Sequence, residues 1–421
     1  MAASEHRSRP APVLSEIPDT EQDRKDFLAA VVRGFHGGEL NEDHWELDQR
    51  LFEFDRCFGF RAGNRWVSTC GAFTRVMTTP GGSVPTGAVT IVTVAPTHRR
   101  QGLLTVMMRH QLADIQRRKE PVALLWASES AIYGRFGYGS AVPRLTVSGQ
   151  TRSTAFLPSV DLGEGWIEEV DKAEFGEAGP HLHAELLGRR PGALDRSEVF
   201  WERDLTDRPE DRKGAPPIRY ALHFSAAGEV DGYARFKVSS PWAGDLPDGE
   251  VEIIELDAVD APARAGLWRF LFDLDLVRRF TSYGVAVDEP LRYQLADPRT
   301  MTSTLTDSTY VRIVDLPAAL AARRYGADLD VVVQVSDHVL EHNDGTFRIQ
   351  AGADGAKVTK AGRRRPDLSL GIRELGSIYL GGVPLTALQR AGLVSERSPG
   401  AVAAMTMAFD WPQKPFCPDN F

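Results

Sequence analysis

Three cysteines in 421 residues, Cys57, Cys70 and Cys417, are too few and too scattered for a disulfide framework or a metal-ligand cluster. The scarcity fits a reducing compartment, so the expectation is a cytoplasmic chain with no bound metal. No run of 18 apolar residues occurs, and no membrane span is expected. The opening "MAASEHRSRPAPVLSEIPDTEQDRKDF" lacks the apolar h-region of a signal peptide. Basic excess is missing too: 49 Lys and Arg stand against 58 Asp and Glu, a formal net charge of -9. Phosphate backbones need a basic surface, so nucleic acid is disfavoured as a partner. An acidic surface steers cationic ligands instead, although solubility alone would account for the charge.

What is present exceeds one ordinary core, and two or three domains are expected. Residues 1 to about 20 are polar and Pro-containing, which predicts disorder. Phe27, Leu28, Val31, Val32 and Phe35 follow helical spacing from Glu21 onward. A hairpin is predicted around Ala62-Gly63-Asn64, then a strand through "GAVTIVTVAP", a helix, the strand "VALLWAS", a short helix at "SAIYGRF" and a final strand. This first unit reads as α+β and is assigned residues 1–153.

A second unit, 154–307, echoes that order: "VEIIELDAVDAPARAGLWRFLFDL" occupies the place of "VTVAPTHRRQGLLTVMMRHQL", and its helix is expected to run through "PARAGLWRFLFDLDLVRRF". The rest, 308–421, changes character. Strands "VVVQVSD" and "GTFRIQAG" precede a polar stretch, "ADGAKVTKAGRRRPDLSLGI", and two helical segments. The tail "PQKPFCPDNF" ends on Phe421.

The stretch Val92–Leu112 carries the chemistry. A strand ends at Pro96, Arg99, Arg100, Gln101 and Gly102 follow, and an amphipathic helix begins. The first turn of a helix leaves N–H groups unpaired and electropositive, and a glycine admits close approach of a phosphate. The turn is therefore a candidate pyrophosphate cradle; the alternative is a basic helix cap with two solvated arginines. Neither a Walker lysine nor G-x-G-x-x-G is present there, which excludes a nucleotide-hydrolysing P-loop and a dinucleotide fingerprint.

"RRQGLL" after "VTVAP" resembles the acetyl-coenzyme A signature of the GCN5-related N-acetyltransferases, with Arg99 and Gly102 in its first two slots and Leu104 departing from the third. "LLWASESAIYGRFGYGSA", Leu124 to Ala141, is similar to the actinobacterial enhanced-intracellular-survival (Eis) acetyltransferases, and the resemblance extends over the whole chain. It implies tandem GCN5-related acetyltransferase folds, the second degenerate, followed by a sterol-carrier-protein-like α/β domain. It also implies acetyl-coenzyme A as co-substrate, a homo-hexamer, and acceptors that are aminoglycosides at more than one amine or lysine side chains.

Residue by residue, the resemblance implies that Tyr133 is the general acid and that the C-terminal carboxylate of Phe421 is the base. Tyr138 is the rival acid, and either ring alone would read as packing. Val92 and Val94 fall beside the pantetheine, Arg99, Arg100 and Gly102 at the pyrophosphate, and Ser128 near the cofactor. Phe35, His36, Glu39 and Trp45 fall in the amine pocket. The family's acidic residue after the matching phenylalanine is absent here, so Glu39, Glu42 or Asp43 would have to substitute. Two other readings compete: an acetyltransferase for a peptide or amine metabolite, and a non-catalytic carrier of an apolar ligand.

Overall fold

A computed structural model describes residues 10–212 and 214–421. The first unit contains β1 (Val13–Glu16), α1 (Glu21–Gly34), α2 (Trp45–Leu51), β2 (Phe58–Ala62), β3 (Arg65–Trp66), β4 (Ser68–Thr79) and β5 (Gly82–Val94). It continues with α3 (Leu103–Arg117), β6 (Val122–Trp126), α4 (Ser130–Tyr133) and β7 (Gly139–Gln150). Helix α1 is capped by the Thr20 side chain and buries Phe27, Leu28, Ala30 and Val31, a stripe at helical spacing. Helix α3 buries Leu103, Met107, Met108, Gln111, Leu112 and Ile115 on one side.

Part of the N-terminal stretch expected to be disordered is ordered: β1 pairs antiparallel with β2, Val13 opposite Arg61, because β2 offers an open edge. Residues 1–9 lie outside the described residues.

The second unit contains β8 (Trp166–Val170), α5 (Lys172–Leu186), α6 (Glu198–Leu205), β9 (Ile218–Phe224), β10 (Val230–Ser239), β11 (Trp242–Ala243) and β12 (Leu246–Pro247). Then come β13 (Gly249–Ala258), α7 (Ala261–Phe272), β14 (Val277–Val285), α8 (Leu291–Gln294) and β15 (Met301–Ile313). Helix α7 stops at Phe272, well short of the expected Phe280. Val277 and Phe280 serve β14 instead, where both are buried beside β13.

Among the described residues both units share a 13-stranded sheet, ordered β1-β2-β4-β5-β6-β15-β7-β14-β13-β10-β9-β8, with β3 on the side of β2. Strand β15 comes from the second unit yet lies between β6 and β7 of the first. The expected boundary at 307/308 therefore falls inside a strand, at a register shift between Asp307 and Thr309. Pairing partners more than 150 residues apart in the chain cannot be seen in a local pattern.

The third unit contains α9 (Leu316–Ala321), β16 (Leu329–Ser336), β17 (Gly345–Gly352), β18 (Gly355–Lys360), β19 (Leu368–Gly371), α10 (Ile372–Ile378), α11 (Leu385–Arg390), β20 (Val394–Glu396) and α12 (Ala401–Phe409). The segment expected to be merely polar, 353–372, supplies β18 and β19 of a five-stranded sheet ordered β18-β17-β16-β19-β20 among the described residues. Helix α10 packs directly on β7: a Cβ on Gly139 would lie 2.0 Å from the Arg373 carbonyl oxygen, so only glycine fits. The Arg312 guanidinium, fully buried on β15, donates to both Asp337 carboxylate oxygens at 2.8 Å. No helix among the described residues is long and apolar enough to cross a membrane.

Removing one partner of a buried ion pair leaves an uncompensated charge. Asp337→Ala is therefore expected to destabilise the third unit by about 3–5 kcal/mol, read as a lowered urea midpoint.

Candidate active site

Strands β5 and β6 pair parallel only from Thr86/Val122 to Ala88/Leu124. Beyond that β5 runs on to Val94 against β4 alone, while the end of β6 pairs with β15. The splay has a local cause. The register of β4 and β5 shifts between Thr69 and Gly71, and Ile91 takes φ 49. A β-branched residue with positive φ is strained, and a bulge bends its strand. The Thr69 hydroxyl, 2.7 Å from both the Ile91 carbonyl and the Thr93 hydroxyl, holds the kink. Val92 and Val94 follow it, half-buried against Phe58, Val67, Leu103 and Met107.

The turn after β5 opens onto α3. Arg99 and Arg100 are exposed, Arg100 with φ 62, and Gly102 occupies the N-cap at φ 81. No side chain caps this helix. A Cβ on Gly102 would meet nothing within 4 Å, so glycine is required by its dihedral while the space above it is open. First-turn N–H groups, two arginines and a free strand edge thus converge on one cleft. They fit a ligand with an amide-bearing arm and a diphosphate. Among the described residues no group of three or more His, Cys, Asp or Glu side chains is arranged to hold a metal ion.

Tyr133 ends α4 and packs in the cluster that contains Val89, Met108, Leu125 and Tyr138, with Val92 and Leu104 at its margin. It is 8% exposed. Burial, followed by the nearby Cys70 and Glu129, pushes its phenol up to about 12. Tyr138 meets it edge-on at 6.0 Å, is fully buried, and has a hydroxyl without a hydrogen-bond partner. Of the two rings, Tyr133 retains access to the cleft. Ser128 is exposed in the turn between β6 and α4.

Helix α1 meets the same cleft from the other side. A Cβ on Gly34 would lie 2.6 Å from the Thr93 side chain, so the end of α1 rests on β5 just beyond the bulge. Phe35, His36 and Glu39 follow, all exposed, with His36 at φ 60. Trp45 is half-buried beneath the Lys25 ammonium, 5.1 Å from its ring. Lys25 also binds Glu42 at 2.6 Å, which leaves Glu42 compensated, whereas neither Glu39 nor Asp43 has a cation within 4.0 Å among the described residues.

The tail returns to this sheet and is tied down along its length. Lys414 N–H donates to Asp288, Phe416 N–H to the Pro191 carbonyl, and the Arg203 guanidinium to the Asn420 carbonyl. Asp419 is 2% exposed and accepts from Arg196 at 2.7 Å, with Arg75 of β4 at 3.6 Å. Arg196 spans on to Glu255 of β13 at 2.9 and 3.1 Å, which Arg235 and Tyr233 also reach. Although burial alone would raise it, Arg196 and Arg235 hold the Glu255 carboxyl well below its usual range. The Phe421 ring packs against the cluster containing Phe73, Val142, Leu194, Phe200 and Cys417.

Known proteins match the chain throughout. The Acetyltransferase (GNAT) domain family matches residues 17–141, a second family of the same description matches 192–313, and the Sterol carrier protein domain family matches 316–418. An uncharacterised N-acetyltransferase of Streptomyces avermitilis is 39% identical over 93% of this chain and 95% of its own. N-acetyltransferase Eis of Mycobacterium tuberculosis is 33% identical over 79% of this chain and 80% of its own. The crystal structure of Eis1 from Mycobacterium abscessus superposes with a TM-score of 0.84 at 31% identity, covering 98% of this chain and all of that one. The chain belongs to the Eis family of GNAT acetyltransferases. It is an acyltransferase with two acetyltransferase domains and a sterol-carrier-like domain.

Within this Eis-family chain the second acetyltransferase domain lacks the cradle for a structural reason. Strands β13 and β14 repeat the parallel pairing and its ending, at Ile253/Ser282. Where residues 95–102 form the turn of the first copy, only Val259 and Asp260 precede α7, and the Asp260 carboxylate accepts from Ala263 N–H at 2.9 Å. A built-in acid occupies the helix end that the first copy leaves open.

The Ile91 bulge and the Arg196–Asp419 anchor escape sequence reasoning. The anchor joins residues 223 apart. A β-branched "TIVTV" reads as plain strand, with no signal for a kink.

The buried network has a pH signature. Burial, followed by Arg196, lowers His183 from 6.5, and Glu255 is lowered from 4.5. A depressed folded value means the unfolded chain binds more protons, so both contributions are complete above the unfolded values and fade as pH falls. The urea midpoint is expected to drop from pH 6.5 downward, with the part above about pH 5 flattened in His183→Gln.

Proposed function

We propose that the chain acetylates primary amines of polycationic small molecules, aminoglycosides at more than one amine, using acetyl-coenzyme A in a ternary complex. The observation that carries this reading is the splay of β5 from β6, with an open, uncapped helix end on one side and the buried phenol of Tyr133 beside it. When bound, acetyl-coenzyme A supplies the thioester carbonyl that an amine attacks and the thiolate that leaves.

Arg99, Arg100 and the α3 N-terminus around Gly102 would hold the diphosphate, and the backbone at Val92 and Val94 would take the pantetheine arm, with Ser128 near it. The Tyr133 hydroxyl keeps the proton that the leaving sulfur needs. Its value of about 12 exceeds that of a thiol in water, roughly 8.5.

The Phe421 carboxylate, held near this domain by the Asp419 anchor, would accept or orient the ammonium proton. Phe35, His36, Glu39 and Trp45 would line the amine side, an aromatic and acidic wall suited to a cation. The reading includes the family's homo-hexamer.

Thiol release with acetyl-coenzyme A and an aminoglycoside panel tests the function; no release with any amine rejects it. Tyr133→Phe is expected to lower kcat on the order of 10²–10⁴-fold while calorimetry finds coenzyme A binding unchanged. Because burial raises Tyr133 to about 12, it sets no alkaline limb of the rate profile at neutral or mildly alkaline pH. Amidating or extending the C-terminus should also lower kcat sharply, and unchanged turnover would remove Phe421 from the mechanism.

A further inference from the structure

The second acetyltransferase domain keeps a cleft that its own chemistry no longer explains. A cavity of about 610 Å³ opens where β13 and β14 part. It extends across β7 to Trp126 on β6, and Phe416, Cys417 and Pro418 of the tail form part of its wall. Neither Tyr133, Phe421, Phe35 nor Trp45 lines it, so it lies apart from the acetyl-transfer site.

Its charges are compensated with one prominent exception. Among the arginines that line it, Arg189 holds Glu185 at 3.1 Å, Arg190 holds Asp288 at 2.6 Å, and Arg264 holds Glu289. Arg144 has no carboxylate within 4.0 Å among the described residues; its guanidinium stacks on the Trp126 ring at 4.6 Å. The Arg144 Nε and the Trp126 Nε1 are both buried and both without an acceptor. Each is a donor only, so what the site lacks is an acceptor, and a guanidinium makes an anionic one the best match. Burial lowers Arg144 from its usual value, with only Asp307 acting against it.

We propose that this cavity is a second ligand site, taking a small molecule with one oxyanion group, a carboxylate or a phosphate, on a flat apolar body. The Arg144 guanidinium receives the oxyanion, with the Trp126 ring stacked against it. Tyr283 and Phe416, the latter packed 3.8 Å from a Cβ placed on Gly284, offer ring surfaces to the body. A diphosphate is disfavoured because Asp260 already fills the α7 end. The volume is that of an ordinary small-molecule pocket. Since the wall residues 416–418 lead straight to Phe421, occupancy also tunes the transfer rate; this clause rests on the acetyl-transfer reading above.

The test is a fluorescence titration of the full chain with 8-anilinonaphthalene-1-sulfonate, a flat apolar body bearing one oxyanion. Saturable binding is expected, undisturbed by coenzyme A and weakened at least tenfold in both Arg144→Gln and Trp126→Phe. Arg363→Gln, at an exposed turn of the third unit, should bind as the parent does. Competition by benzoate against phenyl phosphate tells carboxylate from phosphate. Equal binding by folded Arg144→Gln and Trp126→Phe chains, or displacement by coenzyme A, overturns the site. A change in kcat at saturating probe with an unchanged KM for acetyl-coenzyme A supports the coupling, and an unchanged kcat refutes it. Absence of transfer in the parent chain, with probe binding intact, counts against the acetyl-transfer reading alone.

Discussion

The pairing of Arg196 with Asp419 and Glu255 is the constraint on which the arrangement of this chain depends. It joins the second domain to the tail, and Arg75 of the first domain approaches the same carboxylate. Two acids and three arginines taken out of water cost more than their attraction returns unless the geometry is good. Here the Arg196 fork meets Glu255 with two hydrogen bonds, while Arg235 and Tyr233 occupy the remaining lone pairs. Such a cluster discriminates more than it stabilises: any other path of the tail would strand a buried charge. One Asp419 oxygen has no hydrogen-bond partner.

The shared sheet serves the same end. Because β15 enters between β6 and β7, and β7 in turn pairs with β14, the two acetyltransferase domains cannot shift independently. The second copy, without a phosphate cradle, is therefore fixed to the first through one continuous sheet. It supplies the surface over which residues 412–421 return, while Gly139 lets α10 of the sterol-carrier-like domain press on β7 from another side.

The bulge at Ile91 shows how a local irregularity opens a sheet. A regular β5 would have continued its ladder with β6 and closed the sheet. A single strained residue, braced by Thr69, turns the strand away and leaves amides along an edge that β6 does not pair. Strain of this kind persists where the surroundings over-determine it, and the density of packing around Cys70, Val89 and Met107 does so here.

Much of this was legible in the residues. Helical spacing located α1 and α3, turn chemistry located the β2–β3 hairpin, and the basic Gly-containing turn followed by "IYGRFGYG" marked the family. These are properties of neighbours in the chain, because local sterics and amphipathic periodicity act over a few residues. Where β15 inserts, where α7 gives way to β14, that residues 13–16 form an edge strand, and how the tail is anchored depended on partners distant in the chain, Arg75 and Asp419 among them. Such contacts form only when burial and charge compensation are satisfied together, and that joint condition exists in the folded chain and nowhere along the sequence.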